Sequence, residues 1–305
     1  MILARIGIIG FALVGTASIG LSQETSSAQS FPTYQAAVDT LLAAAAGNDL
    51  VQLKALLGPQ AENLISSGDA AADENSRKTF LEHYNEKHRY IREGPDKVVL
   101  TIGTSAWPLP FPIVKGEGGW HFDPDEGAKE LVYRRVGRNE LDAIQVCKAL
   151  YNAQKEYASV GRDGNPPGSY AQRIVSTPGT HNGLYWETTE GEPESPAGSL
   201  IANATSEGDE VQHGNRVPFH GYFYRVLRAQ GANAPGGAKD YVKDGKMTGG
   251  FAILAYPADY KASGVMTFVM NSQGVIRQRD LGDGTPDVVV SMKAYDPDQS
   301  WKVVH

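Results

Sequence analysis

Residues 263–282, SGVMTFVMNSQGVIRQRDLG, show the clearest structural pattern in the chain. An apolar run is followed by a polar turn at residues 271–274, a second run and then charged residues. Two such runs around a short turn that ends in Gly are typical of an antiparallel hairpin. Residues 218–231 and 249–260 also have the composition of strands. The C-terminal part of the chain is therefore predicted to form an antiparallel sheet.

A long helical stretch precedes these strands, over residues 126–160. Gly137 is expected to interrupt it, and Asn139 to cap a second helix. Residues 161–217 are rich in Gly, Pro, Ser and Glu, which predicts turns and one short helix near residues 198–206. Together these segments predict a C-terminal α+β domain over residues 136–305, in which a long helix packs on the sheet.

The N-terminal half begins with apolar residues at helical spacing over residues 33–57, split by Gly47 and Asn48. A third helix is expected to start at Asp73 or Ser76 and to bury Phe80, Leu81 and Tyr84. Short strands are then predicted at the segments 97–103, 107–116 and 118–123, the middle one at a sheet edge because of its prolines. This pattern predicts an N-terminal α+β domain over residues 31–135, with helices on a curled antiparallel sheet.

The first thirty residues resemble a secretory signal peptide. Arg5 precedes an apolar stretch at residues 6–20, and a polar segment follows it. The stretch is shorter than the roughly twenty apolar residues of a membrane span. Cleavage after Ser30 would remove residues 1–30 and leave no stable transmembrane anchor. Export to the periplasm or the extracellular space is therefore expected.

Composition and motifs narrow the classes of function. The net charge of -7 argues against nucleic-acid binding, which depends on clustered Lys and Arg. Cys147 is the single cysteine, so the chain has no internal disulfide, and no spacing of Cys and His suggests a metal site. The GxSxG, SxxK and HExxH motifs are absent. No cofactor is expected, and a non-enzymatic role is favoured.

Two groups of residues are candidates for binding. His220 precedes a strand that contains Tyr222 and Arg225, and together they could bind a small anion or transfer a proton near neutral pH. The same pattern also fits a sheet face packed on a helix. In the N-terminal half, the aromatic residues of the strand region could line a concave sheet: Trp107, Phe111 and Trp120.

Two polar motifs have weaker functional interpretations. His83 and His88 are five residues apart, which on a helix turns them away from a shared ion. The segment GRDGNPPG at residues 161–168 is faintly similar to a calcium loop, although a simple turn explains it as well.

Most of the chain after the leader resembles a bacterial family of exported proteins described only as domain of unknown function 2950. The resemblance rests on segments distributed along the chain: AAVDTLLAAAAGNDLVQLKALLGP, LISSGD, FPIVKGEGGWHFD, RRVGRNELDAIQVCKALYNAQKEYAS, STPGTHNGLYW, HGYFYRVLRAQG and GGFAILAYPADYKASGVMTFVMNSQGVIRQRDLG. It implies export and a domain layout but no catalytic residue. The C-terminal half is also similar to the head domain of type IV pilin-like proteins, in which a helix packs on an antiparallel sheet.

Three hypotheses follow from the sequence. The leading one is an exported, non-enzymatic interaction or structural protein whose partner is another envelope protein or a second copy of the chain. The second is a small-molecule binding module that uses the N-terminal concave sheet. The third is a hydrolase with its site near His220.

Overall fold

A computed structural model describes residues 29–66, 68–188, 191, 194–200 and 218–305. The predicted signal peptide lies almost wholly outside these residues. The chain divides into two compact units, residues 1–124 and 125–305. The sequence analysis placed the boundary between residues 135 and 136, within the predicted helical stretch.

The helices of the first unit are α1 (Tyr34–Ala46), α2 (Leu50–Leu57), α3 (Glu62–Ile65) and α4 (Ala70–Glu86). The predicted division at Gly47 and Asn48 is confirmed, since Asn48 has a positive φ of 54° and Asp49 caps α2. The cap predicted for the third helix is wrong. Asp69 accepts hydrogen bonds from the amides of Ala71 and Ala72 instead, so α4 begins earlier than expected.

The sheet of the first unit contains β1 (His88–Arg92), β2 (Lys97–Ile102), β3 (Trp107–Pro108), β4 (Ile113–Gly116) and β5 (Gly119–Phe122). The order is β1-β2-β4-β5, and β3 pairs with β2. The predicted edge position of the proline-containing segment is wrong for β4, which pairs with both β2 and β5. The prolines at residues 110 and 112 lie in the break between β3 and β4, where they interrupt no ladder.

In the second unit, α5 runs without interruption from Pro124 to Val160. The predicted break at Gly137 is wrong, because one exposed glycine costs a helix only about 1 kcal/mol. Asn139 caps nothing here, and its amide donates to the carbonyl oxygen of Ser263 at 2.8 Å. Glu140 accepts hydrogen bonds from the amides of Val265 and Met266.

The main sheet of the second unit has the order β14-β13-β12-β11-β6. Its strands are β6 (Tyr222–Leu227), β11 (Ala252–Pro257), β12 (Met266–Asn271), β13 (Ile276–Asp280) and β14 (Lys302–Val303). The hairpin of β12 and β13 confirms the prediction from residues 263–282. Short strands form two further pairs: β7 (Ala229–Gln230) with β8 (Lys239–Asp240), and β9 (Val242–Lys243) with β10 (Lys246–Met247).

The two faces of this sheet pack against different elements. On one face, Tyr151 of α5 lies against Phe251, with ring centroids 5.9 Å apart. On the other face, Arg225 donates hydrogen bonds to the carbonyl oxygens of Val289 and Met292, at the end of α6 (Thr285–Ser291). The α+β architecture predicted from the sequence is therefore confirmed. The short helix predicted near residues 198–206 lies mostly outside the described residues.

Candidate functional site

The first unit contains a cleft of about 420 Å³ between α4 and the other helices. This volume lies within the range of about 300–1,000 Å³ that is typical of small-molecule sites. The walls that do not belong to α4 are apolar except for Ser105: Leu41 and Ala45 of α1, Leu53 and Leu57 of α2, Leu64 and Ile65 of α3, and Ile102, Trp107 and Leu109 of the strand region. The cleft therefore offers a ligand mainly apolar surface.

The wall formed by α4 differs from the others. It contributes Phe80 and five polar side chains: Asp73, Ser76, Arg77, Thr79 and His83. No residue of α4 is fully buried, although the helix is seventeen residues long. Most helices in globular proteins gain their stability by packing an apolar face. Because α4 borders the open cleft, its inward-facing side is not fully packed against the other elements.

Several contacts hold α4 in place. Near its middle, Arg77 Nη1 donates to the carbonyl oxygen of Ile65 at 3.1 Å. Near its end, the amide of Gly103 donates to the carbonyl oxygen of His83 at 3.0 Å. The Tyr84 ring stacks on His88 of β1, with ring centroids 4.0 Å apart. The C-terminal end of α4 is thus attached to the sheet, and its N-terminal half is attached to α3.

Tyr90 belongs to the same attachment. Its hydroxyl lies 3.3 Å from the hydroxyl of Tyr84. Burial, together with this hydrogen bond, raises the pKa of Tyr90 well above its ordinary value. The contact between the two hydroxyls joins the C-terminal part of α4 to β1.

The structure separates the three aromatic residues that the sequence grouped in this half. Trp107 is 43% exposed and lines the cleft. Phe111 is fully buried, and Trp120 is 8% exposed with its ring against Tyr34. Phe111 and Trp120 therefore serve as core, and Trp107 is the member of the group that a ligand in the cleft would touch.

His220, Tyr222 and Arg225 do not converge on one site. Tyr222 is fully buried and donates from its hydroxyl to the carbonyl oxygen of Met266, while burial raises its pKa far above the usual range. Arg225 lies three residues further along the strand, so its side chain is on the opposite face. There it binds the backbone at the end of α6. His220 lies beside Asp142, with Nδ1 and Oδ2 3.8 Å apart.

The remaining polar motifs have structural roles. Asp163 in the segment GRDGNPPG accepts hydrogen bonds from the amide of His181, which joins two loops. Cys147 is fully buried, and desolvation raises the pKa of its thiol to about 12. Within the part of the chain that the structure describes, no group of three or more His, Cys, Asp or Glu residues could hold a metal ion.

Two polar residues of α4 would have indicated the cleft in the sequence. Positions 73, 77, 80 and 84 fall on one stripe of a helix. Phe80 and Tyr84 were identified as its inner face, but Asp73 and Arg77 belong to the same stripe. A charged pair at inward positions is the signal that sequence reasoning missed.

A family model described as "Protein of unknown function (DUF2950)" matches residues 28–304. The chain belongs to this family. The match covers both units of this DUF2950 protein, from just before α1 to the end of β14. No curated protein and no solved structure gives a significant match.

No helix in the described part of this DUF2950 chain combines the length and the apolar character that crossing a membrane requires.

Proposed function

We propose that this DUF2950 protein is an exported, non-catalytic binding protein whose first unit holds a small, largely apolar molecule in the cleft beside α4. The observation that carries the proposal is the combination of a 420 Å³ cleft, apolar walls and a covering helix with no fully buried residue. Burial of apolar ligand surface supplies about 25 cal/mol per Å². A bound molecule would therefore add the packing that α4 lacks.

The leader-like segment at residues 1–30 supports export from a bacterial cell, to the periplasm or the extracellular medium. The arrangement of α5 on an antiparallel sheet supports a pilin-like architecture for the second unit. This likeness concerns the fold alone and assigns no activity. Among the sequence hypotheses, the cleft favours a small-molecule module over an interaction protein, because its volume fits a small ligand. The site proposed here lies between α4 and the other helices, not in the concave sheet expected from the sequence.

The proposal is tested with anilinonaphthalene sulfonate, a dye whose emission rises in apolar sites. We expect saturable binding by the wild type with one dye per chain. Ser76→Phe adds a ring at a residue that lines the cleft and should abolish binding. Asn75→Phe adds the same ring to an exposed residue of α4 that does not line it, and should bind like the wild type. Equal binding by both variants would contradict the proposal.

A further inference from the structure

The side of the cleft formed by α4 is mostly polar, with Phe80 as the exception, and the remaining walls are mostly apolar, with Ser105 as the exception. From this we infer that its ligand is a facially amphipathic molecule, with hydrogen-bonding groups along one face and a continuous apolar surface on the other. A rigid polycyclic amphiphile with hydroxyl groups on one face has this chemistry. The inference rests on the proposed function, since it names the class of molecule that the cleft takes.

The polar side is formed by one row of α4. Ser76, Thr79 and His83 are spaced three and four residues apart, so they lie along the same side of the helix. Seven residues of helix span about 10 Å. Each of the three side chains can exchange hydrogen bonds with a ligand. Ser76 Oγ donates to the carbonyl oxygen of Ala72 at 2.9 Å and keeps lone pairs that accept.

Two charged residues also border the cleft: Asp73 lies nearer the start of α4 than the polar row, and Arg77 lies within its span. Asp73 and Arg77 line the cleft and are half-buried. Phe80 and Tyr84 occupy the same stripe of α4, one and two turns beyond Arg77. Polar groups therefore occur along the full extent of α4 that borders the cleft. A fatty acid needs polar partners at one end only, and this distribution does not match it.

The apolar side comes from the other elements and includes surface that remains open to solvent. Leu64 of α3 is 50% exposed and Trp107 of β3 is 43% exposed, and both line the cleft. Exposed large apolar side chains that border a cleft are typical of a binding surface. A facial amphiphile would cover Leu64 and Trp107 with its apolar face and present its hydroxyls to α4.

The inference is tested with three probes at concentrations below micelle formation: cholate, cholanate and dodecanoate. Cholate and cholanate share a ring system and a carboxylate, and they differ in the hydroxyl groups that cholate has on one face. Dodecanoate is a head-to-tail amphiphile. Each probe is titrated against the full mature chain by displacement of anilinonaphthalene sulfonate. We expect cholate to bind at least about tenfold more tightly than cholanate or dodecanoate, as one or two added hydrogen bonds would produce.

A variant of α4 tests which side chains form hydrogen bonds with the hydroxyl groups of cholate. The double substitution Ser76→Ala with Thr79→Val removes two hydroxyls from the polar row at exposed positions. It should lower cholate affinity toward that of cholanate, because two of the hydrogen-bonding groups on the polar side are lost, and leave cholanate affinity unchanged. Asn75→Ala, on α4 outside the cleft, should keep the cholate preference.

The outcomes distinguish this inference from the proposed function. Equal affinity for cholate and cholanate, or tighter binding of dodecanoate, would overturn the facial-amphiphile inference and leave the apolar cleft as a ligand site. A cholate preference that is undiminished in the double variant would also overturn it, because Ser76 and Thr79 would then not bind the hydroxyl groups. Failure of the dye itself to bind in the cleft would instead contradict the proposed function.

Discussion

Arg77 of α4 donates a hydrogen bond from Nη1 to the carbonyl oxygen of Ile65, the last residue of α3, at 3.1 Å. The bond connects the N-terminal half of α4 to the opposite wall of the cleft, since both residues line it. A helix with no fully buried residue depends on such polar attachments more than a core helix does.

Loss of this bond should loosen the start of α4. We expect Arg77→Ala to speed amide hydrogen exchange in residues 70–78 about tenfold, which corresponds to about 1.4 kcal/mol for a bond to a charged donor. Exchange at residues 80–86 should change little, because Tyr84 and the amide of Gly103 hold that end. Lys78→Ala is the control on the exposed side, and equal acceleration in both variants would count against a specific role for Arg77.

Because of Cys147, the free energy of unfolding should fall as the pH becomes alkaline. Its folded pKa of about 12 lies above the ordinary value of about 8.5, so the folded state keeps the proton that the unfolded state loses. The stability that the protonated thiol contributes is therefore complete below about pH 8.5 and is lost as pH rises toward 12.

The measurement is a series of urea unfolding curves between neutral pH and pH 10.5. Above about pH 8.5, the free energy of unfolding of the wild type should fall by about 1.4 kcal/mol per pH unit more than that of Cys147→Ala. The alanine variant will be less stable at every pH because it leaves a cavity, so the difference in slope is the informative quantity. Parallel curves would show that the thiol is accessible or already ionised.

Substitution by alanine should destabilise the protein at Gly264 and stabilise it at Gly137. A Cβ at Gly264 would overlap the ring and hydroxyl of the buried Tyr222. We expect Gly264→Ala to cost about 2 kcal/mol through overpacking. Gly137 is an exposed position in the middle of α5 with nothing within 4 Å of an added Cβ. There, Gly137→Ala should stabilise by about 0.5–1 kcal/mol. Thermal unfolding of both variants checks the two signs, and a stabilised Gly264→Ala would refute the packing described for Tyr222.

Much of the fold could be predicted because it depends on local patterns. The boundary of α1 and α2 follows from Gly47 and Asn48, and the β12–β13 hairpin follows from two apolar runs around a short turn. By contrast, β1 has the sequence HRYIR, is mostly exposed and shows no apolar alternation. It becomes a strand by pairing with the next strand, β2, over five residues, so its structure comes from that partner and not from its own sequence pattern.

The candidate site was less accessible to sequence reasoning for the same reason. Its walls come from α1, α2, α3, α4 and the strand region, and no local pattern brings these together. Trp107 was identified as a binding residue because it is aromatic, and so were Phe111 and Trp120, which are buried. Exposure, which distinguishes them, depends on the packing of helices on the sheet.

The most direct test of the central claim is native mass spectrometry of the mature protein captured gently from its own cells. The account predicts a small, discrete mass increment on the wild type that persists in Asn75→Phe and is absent from Ser76→Phe, because only the second ring enters the cleft. Bare protein in all three samples, or an increment that survives Ser76→Phe, would contradict a ligand in the cleft beside α4. A stoichiometric protein companion without a small increment would favour an interaction protein instead.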